Sequence, residues 1–199
     1  MTRGRLEAFS DGVIAIIITV MVLELAAPRT PDPSALAPLV PKFLSYALSF
    51  LFLGIYWSNH HHLFQAVRQV SGAVLWANLH LLFWLSLVPF VTAWMGQNNF
   101  ARWPVAAYGA ILLLAAIAYF ILARVLVALH GPDSVIAAAL GADFKGRISI
   151  LLYAAAIGVS FLVPAVSCGF YVVVAVLWLV PDRRIEQRLG GPAETGKDP

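Results

Sequence analysis

Long apolar stretches separated by short polar breaks organise this chain, and their lengths decide what they form. Apolar residues dominate from about 6 to 27, and again over 40–64, 73–94 and 104–129. Each stretch is close to the twenty or so residues that a helix needs to cross a hydrocarbon core about 30 Å thick. The next, 148–180, is too long for one crossing and is interrupted by Pro164, which predicts two spans, 148–163 and 167–180, joined by a tight turn. Between the spans, Pro28-Arg29-Thr30-Pro31-Asp32-Pro33 ends any helix, and Arg68, Ser71 and Gly72 mark a short turn. Gly96-Gln97-Asn98-Asn99 is a polar tip, and 130–147 reads as a loop with one or two helical turns. The expectation is an all-α polytopic membrane protein with six transmembrane helices per subunit. Residues 1–182 form that domain, and a tail, 183–199, is expected to stay disordered because it is Gly, Pro and charge.

Composition removes the soluble alternative. With 61% hydrophobic residues, 12% charged and a mean hydropathy of +0.84, the chain cannot cover itself with a polar surface. The basic start at Arg3 and Arg5 has the look of a secretory signal, but Glu7 and Asp11 fall where such a signal is basic and then apolar, so the first span is expected to be retained. Arg3, Arg5, Arg68, Lys145, Arg147, Arg183, Arg184, Arg188 and Lys197 fall on one side of the six-span arrangement, against Arg29, Lys42 and Arg102 on the other. That imbalance places both termini in the cytoplasm of a multi-pass plasma-membrane protein. Cys168 is the single cysteine, so no intrachain disulfide exists; beside Gly169 it reads as a small packing residue.

Charge inside the apolar stretches is where chemistry is to be sought, because an ionised side chain in hydrocarbon needs a partner or water. Asp11 lies early in the first span. The same topology brings Asn59, His60, His61 and His62 to the end of the second span, and Asn78 and His80 to the start of the third. Together with Arg5 they occupy one membrane depth, and the expectation is a polar layer in which Arg5 and Asp11 pair. The alternatives are plain: a wet helix end for the histidines, an interfacial cap for Ser10, packing aromatics for Trp84 and Trp94. Three consecutive histidines point about 100° apart on a helix and cannot converge on one ion. No metal site, cofactor or catalytic group is expected, nor any nucleic-acid partner.

The segment Arg5-x-x-x-Phe9-Ser10-Asp11-Gly12 at the start of the first span resembles the RxxxFSD signature of the transmembrane protein 175 family, potassium channels of lysosomes and of many prokaryotes. Trp57-x-x-His60-x-x-Leu63-Phe64, Trp76-x-Asn78 and Pro89-Phe90 extend the resemblance through the third span; beyond it only hydropathy agrees. The resemblance implies a potassium-selective, passive cation channel, a homotetramer whose four first helices surround the pore, with rings of apolar side chains beyond FSD as the filter. Potassium ions, the bilayer and three further copies are then its partners. Independently, Ile16, Thr19, Val20 and Leu23 recur at helical spacing and form one stripe, although nearly every position from 13 to 23 is apolar and other stripes look similar. Val13 and Ile17 are expected to face lipid. Glu24, one residue beyond the stripe, is either an acidic group at the outer mouth or a solvated span end. Arg124, inside the fourth span, is expected to snorkel. The rival reading is a proton- or cation-coupled secondary transporter using Asp11 and the histidines. Against it, the chain shows no internal repeat of the kind such folds use.

Overall fold

Uninterrupted apolar sequence leaves the backbone no partner but itself in a bilayer, and the chain accordingly folds as helices. The computed structural model describes residues 1–140 and 144–179. The tail 183–199, the end of the last apolar stretch at Val180 and the acidic Asp143 lie outside the described residues. Helix α1 spans Arg3–Leu23. A short 3-10 helix, Pro33–Leu39, follows, started by Asp32, whose carboxylate accepts the Ser34 N–H at 2.8 Å and is thereby held below its ordinary pKa. Helix α2, Val40–Gln65, opens with Pro41 in its first turn, where the missing N–H costs nothing.

The third crossing is bent. Helix α3, Gly72–Ser86, is capped by the Ser71 hydroxyl, which accepts the Val74 N–H at 3.3 Å. Helix α4, Val88–Gln97, restarts after Leu87 because Pro89 has no N–H to continue the ladder. Helix α5, Arg102–His130, is the longest, and ends at Gly131, whose φ of +90° favours glycine. Helix α6, Val135–Leu140, is a short piece of the following loop. Helices α7, Phe144–Ser160, and α8, Pro164–Leu179, are 17 and 16 residues long, so each rises only about 24–26 Å. Four longer helical segments, Arg3–Leu23, Pro33–Gln65, Gly72–Gln97 and Arg102–His130, are long and apolar enough to cross a membrane.

Helix α5 is the central post, packing on α3, α4, α7 and α8, while α1 packs on α2, α3 and α4 at one side. One core cluster joins α1, α2, α3 and α5 around Leu6, Ile14, Leu53, Leu81 and Leu122; a second joins α2, α4, α5, α7 and α8 around Phe52, Met95, Tyr108 and Tyr171. With lipid as apolar as the core, close approach and interhelical hydrogen bonds hold such helices together. At Gly109 the α5 backbone meets the Tyr171 hydroxyl of α8, which donates to Val105 O at 2.9 Å. Across α2, α4 and α5, Thr92 Oγ1 donates to Val88 O at 2.7 Å. Its own proton thus used, Thr92 accepts from Ser49 Oγ at 2.7 Å, which leaves Ser49 to accept from the Tyr108 hydroxyl at 3.0 Å.

Candidate functional site

Helix α1 is divided lengthwise. Leu6, Ser10, Ile14, Ile17 and Met21 are buried, spaced by four, four, three and four residues, so they form the seam against α2, α3 and α4. The opposite face carries Phe9, Gly12, Ile16, Thr19, Val20 and Leu23, all exposed in the subunit, with Ile16 at 63% and Leu23 at 80%. The Thr19 hydroxyl donates to Ile16 O at 2.9 Å, so its proton is used within the helix and its oxygen lone pairs face outward. Glu24 is exposed at the end of the same helix.

The expectation that Val13 and Ile17 face lipid is corrected. Ile17 is 5% exposed and belongs to the core, and Val13 is half-buried against it.

Behind the seam lies a buried polar chain. Asn78 Nδ2 donates to Ser10 Oγ at 2.9 Å, and Ser10 donates to Leu6 O at 2.9 Å. With its amide nitrogen thus engaged, Asn78 presents Oδ1 to His60 Nε2 at 2.8 Å, so that nitrogen carries the proton. His60 stacks on Phe64 with ring centroids 4.4 Å apart, and its Nδ1 is buried without a hydrogen-bond partner in the protein. Ser10, His60 and Asn78 are each fully buried, and together they tie α1, α2 and α3 at one depth. Ser10 is therefore an interhelical link within α1, well past its first turn.

Asp11 and Arg5 behave differently from the expected pair. Asp11 accepts the indole N–H of Trp57 at 3.1 Å. Among the described residues no ion pair joins Arg5 to Asp11 within the subunit, and Arg5 is exposed. The reason is geometric: six residues along a helix is about 240° of rotation and 9 Å of rise, so the two side chains diverge. Phe9 is likewise outside the buried chain, 48% exposed. The acid that does gather partners is Glu7, which meets Arg3 Nε at 3.7 Å and His61 Nδ1 at 3.0 Å; Gln65 then reaches His61 Nε2 at 2.9 Å. The three histidines thus divide. His60 turns inward, His61 turns to Glu7, and among the described residues no group of His, Cys, Asp or Glu could hold a metal ion. His80, about 200° around α3 from Asn78, is exposed and accepts the Trp84 indole N–H at 2.9 Å, so it does not join the buried chain.

His130 was not marked by any sequence signal. Its Nδ1 donates to Leu126 O at 2.9 Å, leaving Nε2 to accept the backbone N–H groups of Arg68 and Gln69 at 3.1 and 3.3 Å. The end of α5 thereby clasps the turn between α2 and α3.

Comparison with known proteins gives this arrangement a family. The family model described as the endosomal/lysosomal potassium channel TMEM175 matches residues 5–89. The chain is 54% identical over 189 residues to a protein named as a potassium channel in Chryseobacterium sp. (strain P1-3), covering 95% of this chain and 98% of that one. It is 34% identical over 116 residues to the protein of Homo sapiens named endosomal/lysosomal proton channel TMEM175, covering 52% of this chain but 23% of that one. Among solved structures, the lysosomal potassium-selective channel TMEM175 homolog from Chamaesiphon minutus superposes with a TM-score of 0.77 at 31% identity, covering 92% of this chain and 97% of that chain.

Proposed function

This chain belongs to the TMEM175 family, and we propose that it is a potassium-selective channel in which four copies line one pore with the exposed face of α1. The observation that carries this reading is the division of α1 itself. Five buried positions hold the helix against its own subunit, while Ile16, Thr19, Val20 and Leu23 stay open along about two turns. In a homotetramer of closed symmetry that face supplies identical rings from one helix. Rings of Ile16 and Leu23 form a narrow apolar constriction, which a cation passes only by shedding part of its hydration shell. Potassium is less tightly hydrated than sodium and loses less there. Thr19, between the rings, offers outward lone pairs to an ion, and Glu24 adds negative charge at one mouth.

The buried chain from His60 through Asn78 to Ser10 sets the rotation of α1, and no residue of it acts as a catalytic group. Passive conduction is favoured over a coupled transport cycle because the matching relatives are named as channels and the matching structure is a potassium-selective one. The protein sits in the plasma membrane with both termini in the cytoplasm, on the face where Arg3, Arg5, Arg68, Lys145 and Arg147 gather.

The test is a reversal-potential measurement on purified protein in lipid, with potassium on one side and sodium on the other. Ile16→Ala widens four contributions at once, and should raise conductance while lowering the preference for potassium; Ile16→Asn should wet the ring and act in the same direction. An unchanged reversal potential in Ile16→Ala and Leu23→Ala, with a shift in Ile17→Ala, would place the pore on another face. A monomer in mild detergent that conducts as a monomer would sink the tetramer and the pore with it.

A further inference from the structure

On the side of the subunit away from α1, a groove of about 500 Å³ runs between α2, α5, α7 and α8, open along one side. No residue of α1, α3 or α4 lines it. It is closed at one end where Phe52 of α2 meets Tyr153 of α7, with ring centroids 6.3 Å apart. Its walls are apolar and aromatic, and Trp178 of α8 is fixed there by donating its indole N–H to Ser149 Oγ at 2.9 Å.

The other end is cationic. On α5, Ala116, Phe120 and Arg124 follow one another at four-residue intervals, so they form one row rising about 6 Å per step. The first two line the groove, and the exposed Arg124 guanidinium lies over the Phe120 ring at 5.1 Å. Across from it, Gly146 of α7 lines the groove, with the exposed Arg147 about 100° farther round that helix. An inorganic anion alone would leave the apolar slot empty, and a plain hydrocarbon would leave the cations unused. Slot and cations together match an amphiphile with an acyl chain and an anionic head, placed at the depth where a leaflet presents both.

We propose that this groove binds one acyl chain of an anionic phospholipid, with the headgroup phosphate held by Arg124 at its basic end. The lipid comes from the leaflet on the basic face of the protein. This site is independent of the pore, since binding is read without current.

Native mass spectrometry of the purified full-length protein, titrated with phosphatidylglycerol or with phosphatidylcholine of the same chains, tests it. Phosphatidylglycerol should bind at one site per chain, preferred by about tenfold or more over phosphatidylcholine. Arg124→Gln should weaken phosphatidylglycerol by about fivefold and phosphatidylcholine, whose phosphate is offset by its own choline, by clearly less. Arg102→Gln, at the opposite end of α5, should change neither. Ala116→Phe, which fills the slot without altering charge, should weaken both lipids. Should that variant fold poorly, phosphatidylglycerol with brominated chains provides the second reading: it should quench indole fluorescence, and Trp178→Phe should remove part of the quenching. Equal binding of the two lipids, or phosphatidylglycerol binding unaffected by Arg124→Gln, would overturn the site. Displacement by glycerol phosphate at matching concentration would assign it to a free anion, and tighter binding of oleate than of phosphatidylglycerol to a free fatty acid; either result overturns the phospholipid.

Discussion

Replacing Asn78 with leucine removes the middle of the only side-chain relay that joins α1, α2 and α3 among the described residues, and its cost can be worked group by group. Asn78 is fully buried and makes two hydrogen bonds, accepting from His60 and donating to Ser10. A buried polar group left without a partner costs about 1–3 kcal/mol, whereas interhelical hydrogen bonds in membranes average about 0.6 kcal/mol and reach about 1.7. Ser10 keeps its bond to Leu6 O, so its loss belongs at the low end. His60 loses its one hydrogen bond while Nδ1 is already without a partner, so its loss belongs at the high end. The sum is about 1.5–4 kcal/mol, which for a chain of this size lowers an unfolding midpoint by about 3 to 16 °C.

The assay is the fraction of protein eluting as one monodisperse size-exclusion peak after heating, for Asn78→Leu, Ser10→Ala and the double variant. Once Asn78 is gone, Ser10 has lost its interhelical partner, so Ser10→Ala should cost little more. Full additivity of the two single effects, or a shift below about 1 °C in Asn78→Leu, would refute the claim that this relay holds α1 in place.

Three further outcomes follow from the same packing. Ile17→Ala should cost about 2–4 kcal/mol in the heating assay and leave the reversal potential where it was, the reverse of the pattern for Ile16→Ala, because Ile17 is core at 5% exposed. Gly109→Ala should destabilise by about 1–3 kcal/mol, since its Cβ meets the Tyr171 hydroxyl, and Tyr171→Phe in the same chain should recover part of the loss in the same assay. The Asp32 carboxylate is held below its ordinary pKa by the Ser34 N–H, so the fold favours its charged form: protection of the Ser34 amide in hydrogen exchange should be full at neutral pH, fade as pH falls through the ordinary carboxylate range and below, and lose that dependence in Asp32→Ala.

Most of the architecture is readable from sequence because bilayer thickness turns hydropathy into length, and prolines at 28, 31, 33 and 164 stand where the apolar stretches break. The layer at His60 and Asn78 is readable for a related reason: buried polar groups in hydrocarbon must meet each other, and topology limits which ones share a depth. The partners inside that layer are not readable. Asp11 and Arg5 look like a pair on charge alone, but helix phase separates them and an indole N–H satisfies Asp11. Glu7 gathers Arg3 and His61 because it sits a turn nearer the basic end, with no motif to announce it. His130 acts on backbone N–H groups that carry no residue identity for a pattern to find.

The rotation of α1 is the hardest feature to read, and it is the one on which the proposed pore depends. From Val13 to Leu23 almost every position is apolar, so the helix has little contrast between its faces. In water, burial would select the face; in lipid, an apolar side chain gains little by turning inward, and packing has to decide. A single polar residue changes that balance, because a misplaced hydroxyl or amide has no water to fall back on. Ser10 is the fully buried one, beside Glu7 and Asp11, which meet His61 and Trp57 of α2. The bond that Ser10 accepts from Asn78 lies on the inward face of α1, and Ile14, Ile17 and Met21 follow along the same seam. A rotation of about 100°, one residue's worth, would bring Ile17 outward in place of Ile16 and pull Ser10 off Asn78. The polar relay near one end of the helix thus decides which side chains stand on the open face farther along it. A change confined to Asn78 should therefore disturb selectivity through rotation before it disturbs the chemistry of the ring.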